Sequence, residues 1–466
     1  MTGFSTMQSQ VEARIGSRSM GLKLIVVCAL AILMTIPALM VLALVHDRKD
    51  RAQNVVTEIS ANVGGRQTFL GPTLAIPYDI SQPASETPAH GVYFVFPAQA
   101  SAVVKTAAEE RRRSLFKVPV FRSDLNLDAS FDLTGVPAAA PQGAVLDWNH
   151  AEIVIGVSDP RGALADASLT ADGKTATLAP SEIAGQVAID PNQPARLALF
   201  GANAAGIAKP GAKFDVTSAL QFTGAQRIAL LAYGKTTHVK EQGDWPNPGF
   251  DGGFLPVSRT VTAHGYTAEW SVPFIARGVP AEGASGAVTG LGATALGVSF
   301  VELVDPYQSV NRSLKYVPLF LGLVFLSYFI FEVTARKRVH PAQYLLVGIA
   351  QIIFYLLLLS LSERIGFDLG FLLGGAATVI LLAANAGWIF TSRKQGWLAL
   401  AIFALLYGLI YMLLRLEDNA LLVGAIASFV AVAAAMYFTR RIDWYSSLPA
   451  VPAGRAEPGA VSSGTP

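Results

Sequence analysis

Glu332, His340, Gln343, Tyr344, Gln351, Tyr355, Ser362, Glu363 and Asn385 are polar side chains set within or beside long apolar runs. An ionisable or amide group at membrane depth is where a membrane protein usually does its work. Glu332 precedes Arg336 by four residues and follows Tyr328 by one turn, a spacing that predicts an interfacial ion pair pinning a helix end. The other chemistry open to it is a proton or ligand site. Tyr344, Gly348, Gln351, Tyr355, Leu358 and Ser362 succeed one another at spacings of four and three, so they share one stripe of a helix. A hydroxyl or amide turned to lipid would lose its partners, so the stripe is expected to face other helices. Gln351 and Tyr355 sit at mid-membrane, where hydrogen bonds between helices are the first reading and a transport path the second. Asn385 shares a face with Gly370, Gly374 and Thr378, and Gly370-x-x-x-Gly374 is a close-packing signature. His340 and Gln343 lie in the HPAQ that starts the helix, with Pro341 in its first turn. Ser362 and Glu363 at its other end cap the turn or dock a neighbouring domain.

Away from the apolar runs, Arg111, Arg112 and Arg113 offer a basic cluster for anionic headgroups or lipopolysaccharide. Glu109 and Glu110 offset that charge, and a solvated strand edge is expected. Trp245, Phe250 and Phe254 occupy a segment with three prolines between 245 and 256, expected as a structural loop over a β core, with an exposed binding ridge as the other reading. None of the six histidines stands at metal-ligand spacing from another, and no HExxH, Walker loop or paired catalytic carboxylates occur. Gly283-Ala284-Ser285-Gly286 matches the GxSG of intramembrane serine proteases, but no apolar helix surrounds it. The residues therefore point to a non-enzymatic protein without catalytic residues, metal or cofactor.

The elements that position these groups follow from composition. With 52% hydrophobic and 15% charged residues, and a positive mean hydropathy, the 466-residue chain is too apolar for a soluble protein. Six apolar runs are expected to span a membrane: 24–45, 317–335, 344–362, 369–390, 397–414 and 420–438. The first is twenty-two residues long, which suits a retained anchor better than a signal peptide. Its helical pattern continues to about residue 63 and stops at Gly64-Gly65. Between the first and second runs lies a β-rich domain, 64–315, with strands expected at 91–97, 152–158, 213–224, 227–240, 266–275 and 296–304. Asp159-Pro160-Arg161-Gly162 and Asn247-Pro248-Gly249 are expected turns, and 278–297 an irregular, mobile loop. Many short strands predict an antiparallel sandwich of one or two lobes. From His46 to Lys315 the chain carries 22 basic and 25 acidic residues, no footprint for nucleic acid. The single cysteine, Cys28, excludes an internal disulfide.

Basic residues mark alternate links: Arg336, Lys337 and Arg338, then Arg393 and Lys394, then Arg440 and Arg441. The other links hold Arg364 and Arg415 beside Glu363, Asp368, Glu417 and Asp418. The first set is expected to face the cytoplasm, which puts both termini there (1–23 and a disordered tail, 439–466) and the β domain in the periplasm.

HPAQYLLVGIAQIIFYLLLLSLSERIGF (340–367), FLGPTLAIP (69–77), DWPNPGFDGGFLP (244–256) and IDWY (442–445) together resemble the CreD-like inner-membrane proteins, known as cell envelope integrity proteins, and the resemblance covers almost the whole chain. It implies a Gram-negative inner-membrane protein tied to envelope integrity and to the response to envelope and β-lactam stress, and it implies no reaction. The expected function is an envelope-integrity factor whose β domain binds an unidentified envelope partner while the bundle, among membrane lipids, anchors or transmits. The alternative is a lipid or small-solute transporter using the polar stripe.

Overall fold

The computed structural model describes residues 20–80, 89–113, 116–136, 140–141, 143–190, 195–301, 306–335, 337, 339–416 and 420–440. Residues 1–19, Arg336, Arg338, Glu417, Asp418, Arg441 and the tail, which carry parts of the expected orientation, lie outside them. The chain forms two compact units, Met1–Lys49 with Val304–Pro466, and Asp50–Leu303.

Helix α1 (Met20–Leu33) and helix α2 (Thr35–Ala61) follow each other with an interruption at Met34. Pro37 has no N–H to give the Leu33 carbonyl, so the ladder breaks there. The Thr35 hydroxyl donates to the Ile32 carbonyl at 2.6 Å. The apolar half of α2 belongs to the helical unit and its polar end to the β unit. Gly64 and Gly65 take φ of 85° and 62°, and the Gly65 N–H donates to the Ser60 carbonyl at 2.7 Å, a glycine stop of the kind that ends helices.

Among the described residues the β unit holds an 11-stranded and an 8-stranded sheet, with the larger buried core drawn from both. Among the described residues most neighbours are antiparallel, but two pairs are parallel: Gln67–Ile80 with Arg227–Leu231, and Gln99–Arg113 with Thr236–Gly243. The sheets are therefore mixed, not the antiparallel ones expected. The reason lies in the run 227–240, expected as one strand, which is split. Arg227–Leu231 joins the larger sheet and Thr236–Gly243 the smaller. A Cβ at Gly234, between them, would lie 2.5 Å from the Ala100 Cβ, so only glycine permits that close crossing. The buried Tyr233 hydroxyl donates to the Ser101 carbonyl at 2.6 Å, and the Asp128 carbonyl lies 2.9 Å from it.

Three further expectations are corrected. Pro248, expected in a turn, opens the strand Pro248–Gly252, paired to Ala295–Phe300. Residues 278–297 are ordered by two buried anchors, Val288 and Leu291. They contain the strand Glu282–Ala284 and the short helix α4 (Gly286–Thr289), which follows the one-turn helix α3 (Phe274–Arg277). Residues 306–315, assigned to the β domain, form helix α5 (Pro306–Lys315) of the helical unit.

The helical unit continues with α6 (Val317–Ala335), α7 (Pro341–Ile365), α8 (Phe367–Phe390), α9 (Arg393–Arg415) and α10 (Ala420–Thr439). Among the described residues, five helical segments are long and apolar enough to cross a membrane: Lys23–Ala61, α6, α7, α8 and α9. The expected sixth span falls on α10, whose apolar stretch, Leu422–Ala434, is shorter.

Candidate functional site: the polar interior of the helical unit

The stripe on α7 is buried along its length: Tyr344, Gln351, Tyr355, Leu358 and Ser362 are each at most 3% exposed. His340 caps the helix, its Nδ1 accepting from the Ala342 N–H at 3.2 Å. Pro341 fills the first turn without needing a donor there, and the half-buried Gln343 gives its backbone N–H to the His340 carbonyl at 2.9 Å. At the far end Gly366, with φ of 85°, donates to the Ser362 carbonyl at 3.2 Å. A Cβ at Gly370 would lie 3.1 Å from the Ser362 Oγ. The glycine thus lets α8 approach α7 closely.

Glu332 is the best connected group of this interior. It is 2% exposed and accepts three contacts on its two oxygens. The Lys23 ammonium of α1 pairs with Oε1, the Val339 N–H donates to the same oxygen at 2.9 Å, and the Tyr344 hydroxyl donates to Oε2 at 3.0 Å. Arg336, the partner expected from spacing, lies outside the described residues. The observed countercharge comes from a helix more than 300 residues away in sequence. A buried carboxylate is tolerable only when paired and hydrogen-bonded in this way. The cluster therefore ties together α1, α6 and the start of α7.

A second tie joins α6 to α8. The Tyr328 hydroxyl donates to the Leu382 carbonyl at 2.8 Å and accepts from the Asn385 amide at 3.3 Å. The ring of Tyr328 stacks on Phe403, with centroids 5.6 Å apart, which adds α9. Lys337 caps α8 by donating to the Phe390 carbonyl at 3.0 Å, beside Thr391 in the left-handed region at φ 48°. At the other end of α7, Glu363 accepts from the Tyr307 hydroxyl of α5 at 3.0 Å and faces Arg48 at 3.8 Å. Asp368 meets Tyr411 at 3.1 Å and Arg415. The expectation that Glu363 caps a turn or docks a domain is thus replaced by helix-to-helix contacts inside one unit.

Gln351 differs from all of these. Among the described residues neither carboxamide atom has a hydrogen-bond partner, nor do the hydroxyls of Tyr355 and Ser362. Helix-packing hydrogen bonds, expected for Gln351 and Tyr355, are not made by either.

The β-unit candidates are structural or self-neutralised. Arg111 pairs with Glu109 at 3.2 Å, Arg112 with Glu110 at 3.3 Å and Arg113 with Glu58 at 2.5 Å. They stand at the tip of the hairpin formed by Gln99–Arg113 and Phe116–Asp132, not along a sheet edge. Glu58, drawn down by its hydrogen bond to Arg113, keeps its carboxyl below the ordinary range. Trp245 is 8% exposed and donates from Nε1 to the Val301 carbonyl at 3.2 Å. Phe250 lies edge-on to Tyr266 and Trp270 at 6.0 and 6.1 Å. The Phe254 ring is partly buried against the core, and its carbonyl accepts from Trp270 at 3.1 Å. These contacts leave no aromatic ridge exposed.

Sequence reasoning missed Tyr407, and in the β unit the buried pair Glu241 and Tyr266. The Tyr266 hydroxyl donates to Glu241 at 2.6 Å, and burial pushes the Glu241 carboxyl up to about 8. The available signal was strand parity: Thr237, Val239 and Glu241 alternate onto one buried face. Among the described residues no group of three or more His, Cys, Asp or Glu is placed to hold a metal ion.

Several membrane-length helices, a large β unit inserted after the first of them, and an interior of paired charges and buried tyrosines define a polytopic membrane protein. Residues 19–445 match the family described as Inner membrane protein CreD. The chain is also 30% identical over 441 residues to the Inner membrane protein CreD of Escherichia coli (strain K12), an alignment covering 91% of this chain and 94% of that one. The chain therefore belongs to the CreD family of inner-membrane proteins.

Proposed function

We propose that this protein supports the integrity of the cell envelope without catalysing a reaction, its β domain binding an envelope component and its helices anchoring that domain and transmitting its state. In this reading α10 is a sixth span, both termini are cytoplasmic and the β domain is periplasmic, as the distribution of Arg and Lys among the links favours. The observation that carries the proposal is the continuity of α2. Its first turns are apolar and belong to the helical unit. Its last turns pack Val56 and Ile59 with Val63, Val118, Val120 and Ala225 inside the β unit. One helix therefore takes part in the packing of both units, which is what a transmitting element needs.

The test is photocrosslinking in living cells from the full chain, with photoreactive residues at exposed β-unit positions such as Val257, Ile275 and Arg111. Crosslinks to one recurring envelope component support the proposal. Their absence at all positions, with the chain present at normal abundance, overturns the binding role.

A further inference from the structure

We propose that Gln351 is a water-binding site inside the helical unit, completed by the hydroxyls of Tyr355 and Tyr407. Gln351 is wholly buried, yet among the described residues both its carboxamide atoms lack a protein partner, as does the hydroxyl of Tyr355, one turn further along α7, while the Tyr407 hydroxyl on α9 meets that of Thr378. The two tyrosines lie close enough to interact electrostatically. The nearby Thr378 gives its own proton to the Gly374 carbonyl at 2.8 Å. Buried polar atoms are almost always bonded, to protein or to ordered water. An amide with no protein partner for donor or acceptor, one turn from the Tyr355 hydroxyl that in turn lies near Tyr407, supplies the kind of polar partners that hold an internal water.

Bulk water is far off along the helix. Gln351 follows Pro341 by ten residues and precedes Ile365 by fourteen, about 15 and 21 Å at the rise of an α-helix. It therefore lies near the middle of the hydrocarbon layer. The site is also closed along the stripe. A Cβ at Gly348 would lie 2.7 Å from the Met34 Cγ and 3.1 Å from the Phe325 Cζ. Those two side chains thus pack against Gly348, which stands between Gln351 and Tyr344 on the stripe. On the other side Leu358 is fully buried. Packed side chains on both sides of Gln351 along the stripe favour a closed hydration site over a continuous channel.

Tyr328 supplies the internal control, being 1% exposed with its hydroxyl satisfied by the Leu382 carbonyl and Asn385. The experiment is millisecond X-ray hydroxyl-radical labelling of the full chain in lipid nanodiscs, read by peptide mass spectrometry, because radicals born from bound water oxidise the side chains beside it. Tyr355 and Tyr407 are expected to be oxidised several-fold faster than Tyr328 in the unaltered protein, and to fall to the Tyr328 rate in Gln351→Met. Equal rates for the three tyrosines in the unaltered chain overturn the proposal, and that comparison needs no variant to fold. Rates unchanged in a folded Gln351→Met overturn the role of the carboxamide.

Discussion

Replacing Glu332 by Gln while Lys23 remains takes one charge from a buried pair and strands the other. Removing one member of a fully buried pair costs about 3–5 kcal/mol, because the survivor is left unsolvated. Lys23 is 17% exposed and Glu332 2%, so the two sides are unequal. The stranded ammonium extends its head toward solvent, which brings the expected loss for Glu332→Gln to about 2–3 kcal/mol. Lys23→Met leaves a carboxylate that keeps the Val339 and Tyr344 donors but has no countercharge, a loss of about 2–4 kcal/mol. In the double variant the carboxamide oxygen still accepts from Val339 or Tyr344 and no charge is stranded. The double loss should therefore fall short of the sum of the single losses by about 2 kcal/mol. The assay is unfolding of the full chain in detergent micelles, followed by near-ultraviolet circular dichroism, for all four members of the cycle. A coupling within about 0.5 kcal/mol of zero would refute the idea that this pair holds α1 to α6 and α7.

Two further outcomes follow from the β unit and the links. The Glu241 carboxyl, raised by burial from 4.5 to about 8, favours the fold fully below about pH 4.5, progressively less as pH rises, and not at all beyond about pH 8. The full span amounts to about 4–5 kcal/mol, so the melting temperature of the β unit should fall as pH rises from about 4.5 to about 8. Glu241→Gln should flatten that slope, and parallel slopes would show that another group titrates. For orientation, in a Cys28→Ser background, cysteine at Ile275, which is 93% exposed, should react with an impermeant maleimide in cells whose outer membrane is opened. Cysteine at Ser392 should react only after the inner membrane is broken, and the reverse pattern would invert the proposed topology.

The membrane helices were legible because lipid imposes one rule on every residue of a span. The uninterrupted apolar runs pointed to α6 to α9, although α7 and α9 begin three and four residues before the expected runs. The partners inside the bundle were not. Spacing along one helix pairs Glu332 with residues three or four away, whereas the fold supplies Lys23 from another helix, a choice that depends on packing between segments remote in sequence. For the same reason the stripe on α7 announced that Gln351 would be buried but carried no information on whether its amide would be satisfied.

The β unit hid its longest hairpin, Gln99–Arg113 with Phe116–Asp132, behind small residues. Ala100, Ala102, Val104 and Thr106 alternate inward, but alanine and threonine give a weak hydrophobic contrast, and AAEERRR reads as helix-forming on local propensity. The sheet overrides that propensity because each residue of the hairpin has a cross-strand partner, through Arg113 opposite Phe116. The small inward residues then become explicable. They face the link between the two sheets, from which Tyr233 reaches the backbone carbonyls of Ser101 and Asp128. A larger side chain at Ala100 would close on Gly234, where the chain passes between sheets. Weak patterning at these positions is thus a consequence of close packing between layers, and the feature that obscured the hairpin in the sequence is the one that lets the two sheets share a core.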